Sequence, residues 1–276
     1  MSEDGSPEWG AVDEAADEAA GYLETVTGLD AIQAFKRRSH RLLRPEAGDR
    51  ILDVGCGVGD DVQELSGHVG PEGSVLGIDK SESLIEEARS GSEDAPNAEF
   101  RVGDALDLDL AEDAVDASRA DRVFQHLTNP GKALAEMCRV TRPEGRVAVT
   151  DVDWGTLVLD AAGVDSVRTE SVIDPRWGVA RNPLMGRRLR SLVQDAGLAE
   201  ISIDAGTVVL TDFGLVNAVF NLEDRLAAME DQDVLSAEAA DDWLAGVRAA
   251  GADDRLFAAI SGVTIAGTVP SDGSSG

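Results

Sequence analysis

The chain has 276 residues, of which 53 are Asp or Glu and 24 are Lys or Arg, for a formal net charge of −29. Such a surface repels a phosphate backbone, which counts against nucleic acid or anionic lipid as partners and favours a small molecule. Hydrophobic residues at 43% and charged residues at 28% supply one sizeable α/β core, and the length is short for two full domains. Only Lys36, Lys80 and Lys132 are lysines, a balance suited to a salt-rich cytoplasm where self-repulsion is screened, as in a halophile.

The N-terminal MSEDGSPEWG has neither the basic start nor the apolar run of a signal peptide, and no stretch approaches a membrane span. A cytoplasmic protein without membrane insertion is therefore expected. Cys56 and Cys138 make no CxxC pair, and His40, His68 and His126 show no ligand spacing, so no metal is expected.

Residues 1–9 and 269–276 read as flexible ends around a single domain spanning 10–268. Two helices, over 10–28 and 29–43, form an N-terminal cap across 10–44, with Ala31, Ala34, Phe35 and Leu42 at helical spacing. Pro45 and Gly48 end the cap. Strands are expected at 50–54, 74–79, 99–102, 115–118 and 146–151, with helices at 62–69, 81–89 and 130–140 between them. This βαβ series predicts a parallel sheet with helices on both faces. One or two helices follow within 164–196, then a strand at 200–210, helices over 213–250 and a last apolar run at 257–268.

ILDVGCGVG (Ile51 to Gly59) sets three glycines at alternate positions where a strand becomes a helix, letting a ligand lie against the backbone. A dinucleotide fingerprint needs a glycine or alanine where this chain has Asp60, whose carboxylate would face a pyrophosphate, so NAD and FAD are disfavoured. A cationic ligand fits better. Asp53 precedes the first glycine and can attract an ammonium; Asp79 ends the second strand and can accept two ribose hydroxyls; Asp104 follows the third and can bond an adenine amine.

With these residues in place, the chain resembles the class I S-adenosylmethionine-dependent methyltransferases, in the group of ubiquinone/menaquinone and other small-molecule enzymes. The resemblance rests on DRILDVGCGVGDD, VLGIDKSESLIEEAR, FRVGDALDLDLAEDAVDA and RVFQHLTNPGKALAEMCRVTRPEGRVAVTD, which make 45–154 the cofactor-binding core. It implies a Rossmann-like, seven-stranded sheet with an antiparallel last strand, strand six at 199–210, strand seven at 256–268, and a helical lid insertion at 213–250. It also implies S-adenosylmethionine held by Asp53, Gly55, Cys56, Gly57, Asp79, Asp104 and Ala105, with Lys80, Ala120 and Gln125 as further contacts. Pro143-Glu144-Gly145 stands where the family commonly has Pro-Gly-Gly, and Leu106-Asp107-Leu108 replaces a Leu-Pro-Phe run.

For catalysis, His126 after strand four is the histidine candidate for a general base, against a helix-start role, and Asp151 or Asp153 at the end of strand five would orient an acceptor. Tyr22, Trp154, Trp177 and Phe220 are candidates for the substrate pocket, against ordinary core packing. Cys56 has no basic neighbour to make a thiolate and reads as a packed loop residue. The basic run Trp177 to Arg190 reads as a helix whose arginines pair with nearby carboxylates. An amino-methylating nucleic-acid enzyme would carry an Asn/Asp-Pro-Pro-aromatic tetrad where this chain has Arg119-Ala120-Asp121-Arg122. A cofactor-binding protein without transfer activity is the alternative of a different kind.

Overall fold

The structure, a computed structural model, describes residues 30–178 and 180–271. The expected helix at 10–28, and Tyr22 with it, lie outside the described residues. From there the elements are α1 (Asp30–Leu43), β1 (Arg50–Val54), α2 (Asp60–Val69), β2 (Ser74–Asp79), α3 (Glu82–Gly91), β3 (Ala98–Val102) and β4 (Val115–Asp121). A 3₁₀ turn (Phe124–His126) leads to α4 (Pro130–Val140), β5 (Thr141–Ala161) and α5 (Ser166–Val172). A second 3₁₀ turn (Pro175–Trp177), α6 (Met185–Asp195), β6 (Ala199–Leu210), α7 (Phe213–Phe220), α8 (Leu222–Asp231), α9 (Ala237–Ala252) and β7 (Leu256–Thr268) complete the chain.

The strands form one sheet in the order β3-β2-β1-β4-β5-β7-β6. β1 pairs in parallel with β2 and β4, and only β7 runs antiparallel to its neighbours β5 and β6. The expected Rossmann-like sheet is thus observed, with strands six and seven within one residue of their expected bounds. Alternation along the strands sorts the core. Ile51, Val75, Ala117 and Ala148 face a cluster with Val62, Leu65 and Val69 of α2 and Ile85 of α3. Leu52, Val54, Ala120, Val147 and Val149 face Leu134 and Met137 of α4 and Leu189 and Val193 of α6.

Local chemistry fixes the helix starts. Side chains of Ser81, Asn129, Asp165, Asp212 and Ser236 accept the free backbone N–H groups at the first turns of α3, α4, α5, α7 and α9.

Two expectations change. The fifth strand does not end at Asp151: a bulge between Asp153 and Val158 carries it on to Ala161, because β7 is long enough to pair with it to Leu256. The outer halves of β5, β6 and β7 form a platform that α5 and α7–α9 cover with a separate apolar cluster, including Leu157, Leu159, Val208, Phe220, Leu226, Trp243 and Leu256. The ladder also runs one residue into the segment expected as a tail, where Val269 N–H bonds Gly145 O and Glu144 N–H bonds Val269 O, both at 2.9 Å.

Candidate active site

The sheet order reverses between β1 and β4, and connections from these strands leave in opposite directions, which opens a crevice at their C-terminal ends. The glycine loop lies there. Gly55, Gly57 and Gly59 take φ of 72°, 53° and 86°, the left-handed region that side chains disfavour. A Cβ on Gly55 would sit 2.3 Å from Val123 Cγ2, and one on Gly59 would sit 2.6 Å from the Phe100 ring. Backbone N–H groups of Gly55 and Cys56 both donate to Ile78 O, latching the loop to the end of β2.

Asp79 extends that latch: one oxygen accepts Gly57 N–H and the other Ser81 N–H, each at 3.0 Å. A carboxylate offers about four acceptor sites, so roughly two remain for the paired hydroxyls of a ribose. Asp104 is exposed after β3 and spends one acceptor on Leu106 N–H, leaving capacity for an adenine amine. Ala105 is half-buried beside it and Lys80 is exposed. A bare glycine backbone, a ribose acceptor and an adenine acceptor at successive strand ends fit S-adenosylmethionine. Cys56 is packed in the loop, its thiol pushed up by burial and by Asp53 and Asp79, so it is no nucleophile.

Two expected contacts occupy deeper positions. Asp53 is 2% exposed and lies behind the loop, its Oδ1 3.1 Å from Nη1 of the fully buried Arg119. The same Arg119 nitrogen lies 3.3 Å from Asp61, and Nη2 lies 3.6 Å from Asp121. Burial raises the Asp53 carboxyl despite Arg119. At Asp61 burial also opposes ionisation, but Arg119, His40 and Lys36 together outweigh it and hold the carboxyl well below the usual range. Asp53 is therefore engaged by Arg119 inside the protein and is not open to a ligand, unlike the expected direct contact. Ala120 is fully buried with its methyl in the core, so it offers the crevice no exposed surface, contrary to the expected contact.

Beside the loop, the ends of β4 and β5 are tied together. Asp151, fully buried, accepts Gln125 N–H on Oδ2 at 2.9 Å and Val152 N–H on Oδ1 at 3.0 Å. Burial nevertheless pushes its carboxyl up to about 8. Gln125 accepts the Trp154 indole N–H at 2.7 Å. Asn182 closes the cluster, donating its backbone N–H to Gln125 O and its amide to Phe124 O and Leu127 O. Asp153 is gripped by Arg187 through both oxygens, which explains one arginine of the basic run; α6 begins only at Met185.

His126 follows Gln125, and burial with Arg122 nearby pulls its pKa down to about 4, so the ring is neutral at pH 7. Trp154 is half-buried, edge-on to Phe220 at 6.4 Å, with the Arg225 guanidinium 5.5 Å over its ring. Phe220 is buried among the insertion helices, whereas Trp177 packs half-buried at their margin. Sequence reading missed Asn182 and the two fully buried arginines, Arg119 and Arg225. Arg119 left a signal: it is the one cation of β4 (VDASRAD), in register with Asp53 of β1.

Comparison with known proteins agrees with this geometry. The chain is 34% identical over 232 residues, 83% of its length and 66% of the relative's, to an uncharacterized 37.1 kDa protein in a transposon of Streptomyces fradiae. It is 30% identical to an arsenite methyltransferase of Halobacterium salinarum (60% of this chain, 42% of the relative). It is also 30% identical to a demethylmenaquinone methyltransferase of Staphylococcus aureus (49% and 56%). The chain thus spans about two fifths to two thirds of the length of these relatives. A phosphoethanolamine N-methyltransferase of Haemonchus contortus with bound S-adenosylhomocysteine shares the fold, with TM-score 0.58 and 17% identity over 94% of this chain and 59% of that one. Residues 45–195, more than half of the chain, match a methyltransferase domain family. The chain belongs to that family, as a class I methyltransferase domain whose cofactor is S-adenosylmethionine.

Proposed function

We propose that the chain transfers a methyl group from S-adenosylmethionine to an oxygen, nitrogen or carbon of a small molecule, with a quinol or another phenolic ring as the acceptor class. The observation that carries this is the latch of Gln125, Asp151, Trp154 and Asn182, which fixes the half-buried Trp154 indole on β5, two strands along the sheet from β1 and its glycine loop. The cofactor supplies a methyl bonded to a cationic sulfur, which passes to a nucleophile by in-line displacement. The chain's own residues bind, orient and exclude water, and proximity supplies most of such a reaction.

Within this reading Asp151 is a positioning residue: its oxygens serve two backbone N–H groups and it has no free path to an acceptor. His126, neutral at pH 7, takes a proton only from an acceptor already acidified in the site. Trp154 and Trp177 offer aromatic surface to a ring, and α7–α9 close over the same side. An arsenic acceptor is disfavoured. A soft metalloid asks for several thiolates, whereas burial raises both Cys56 and Cys138, the latter to about 11, and they stand on different elements.

The test is S-adenosylhomocysteine release, followed by mass spectrometry, with a panel of quinols, phenols, catechols and small amines. Product dependent on a ring hydroxyl or ring carbon supports the reading. Cofactor binding without turnover on any member of the panel favours the alternative, a binding protein that kept the site.

A further inference from the structure

The three histidines are scattered in the sequence, yet the fold brings His40 of α1 and His68 of α2 together, their ring centroids 6.0 Å apart. Between them stand Asp61 and Glu64, also on α2. We propose that His40, Asp61 and Glu64 bind a divalent transition-metal cation of the zinc class at the seam between α1 and α2, with His68 as the nearest further donor. The proposal departs from the expectation of no metal drawn from spacing alone, because the donors come from two helices rather than one motif.

The donors gather around a point. One donor atom from each of the three residues falls within 4.8 Å of the others. His40 Nε2 lies 3.2 Å from Asp61 Oδ1, close to the roughly 3.3–3.5 Å that separates ligands at about 2.0–2.2 Å around a tetrahedral ion. Glu64 Oε1 lies 3.4 Å from the other ring nitrogen, Nδ1, so the Glu64 carboxylate swings toward Nε2 to share the same ion. His40 is 5% exposed, and its ring nitrogens meet Asp61 Oδ1 and Glu64 at ion-pair distance without hydrogen-bond alignment. A buried imidazole and carboxylate oxygen satisfied only by such contacts gain from an ion that both can bind.

Charge points the same way. Asp53, Asp60, Asp61, Glu64 and Asp121 converge here on Lys36, Arg119 and Arg122, an excess of carboxylates over permanent cations among the described residues. Lys36 and Arg119 both address Asp61 Oδ2, which leaves Oδ1 to the seam. His68 has its Nδ1 2.8 Å from Glu64 O; as donor there it keeps the Nε2 lone pair available. Imidazole with carboxylate selects zinc, cobalt or nickel over calcium and magnesium, and no thiolate is present to favour copper(I). Glu64 is 39% exposed at its side chain and gives the ion a way in. Since α2 starts directly after Gly59, a bound ion would fasten α1 to the helix that carries the cofactor loop.

The experiment is titration of the full, untagged, chelator-treated chain with Co²⁺ and Zn²⁺ in Mg²⁺-containing buffer. The expected result is one Co²⁺ per chain with the intense visible absorption of a four- or five-coordinate ion, displaced by Zn²⁺, and a rise in Tm of several degrees with stoichiometric Zn²⁺. His40→Ala is expected to abolish both signals. Because that residue is buried, Glu64→Gln serves as a second variant, expected to weaken Co²⁺ at least tenfold while the metal-free Tm stays unchanged. A pale six-coordinate cobalt spectrum, or wild-type affinity in Glu64→Gln, would mean an ion pair on an acidic surface and overturn the site.

Discussion

Two arginines are among the largest fully buried side chains, and the two halves of the molecule neutralise them in opposite ways. Behind the glycine loop, Arg119 meets Asp53, Asp61 and Asp121, and these outweigh burial to hold its charge more firmly than in water. Under the insertion helices, Arg225 has no carboxylate in ion-pair contact among the described residues. It donates to Phe220 O, at the C-terminus of α7, and through its Nη1 to Val172 O at the C-terminus of α5 and to Asp174 O. Its guanidinium also lies over Trp154. Helix-end dipoles and an aromatic face compensate only in part, and burial pulls Arg225 down to about 10. The half around the glycine loop is thus built as a coupled ionic network and the half under the insertion helices as an apolar shell with a polar keystone.

Replacing each arginine breaks the comparison most severely. Arg119→Met leaves three buried carboxylates facing one another and is expected to destabilise by about 3–5 kcal/mol in urea unfolding, with Asp53→Asn in the same chain recovering part of the loss. Arg225→Met strands three backbone carbonyls and should cost about 2–3 kcal/mol. If the halves are independent, Arg225→Met leaves cofactor affinity unchanged wherever the protein is folded, whereas Arg119→Met weakens it.

Gly55→Ala confines the effect to the loop. A Cβ at φ 72° and 2.3 Å from Val123 is expected to cost about 1–3 kcal/mol of stability and to reduce cofactor affinity tenfold or more by calorimetry. Trp154→Phe removes the indole bond to Gln125, about 1 kcal/mol, and should raise KM for the acceptor while leaving cofactor binding intact.

Stability also depends on pH. The raised carboxyl of Asp151 contributes stability that is fully present below about pH 4, its unfolded value, and is lost as pH rises through about 8. Asp61, held low, works with the opposite sign, contributing stability above about pH 4 that is lost in acid. Together the two groups place the maximum of the unfolding midpoint near pH 4, with a decline in acid and a decline toward pH 8, and the Asp151 carboxyl carbon titrates near pH 8 by NMR.

The two halves also differed in how far the sequence revealed them. The cofactor half was legible because its function needs backbone shapes only glycine adopts and acids at strand ends, and both are visible as spacing. A strand at β6 and an apolar run at β7 were visible in the sequence, and the resemblance implied that they are the last two strands of the sheet. The continuation of β5 was not, since its length depends on pairing with β7 about a hundred residues away. The partners of Asp53 and Asp151 were equally hidden: a carboxylate's surroundings are set by register and helix docking, and one-dimensional spacing carries neither. His40 and Asp61 meet for the same reason.

Calorimetric titration with S-adenosylmethionine and S-adenosylhomocysteine, with Asp79→Ala as the comparison, tests the central claim most directly. Micromolar binding of both, weakened at least tenfold when the Asp79 carboxylate is removed from its place beside Gly57, is the result the structure predicts. Absence of binding by a chain shown to be folded, or equal binding by Asp79→Ala, would contradict it.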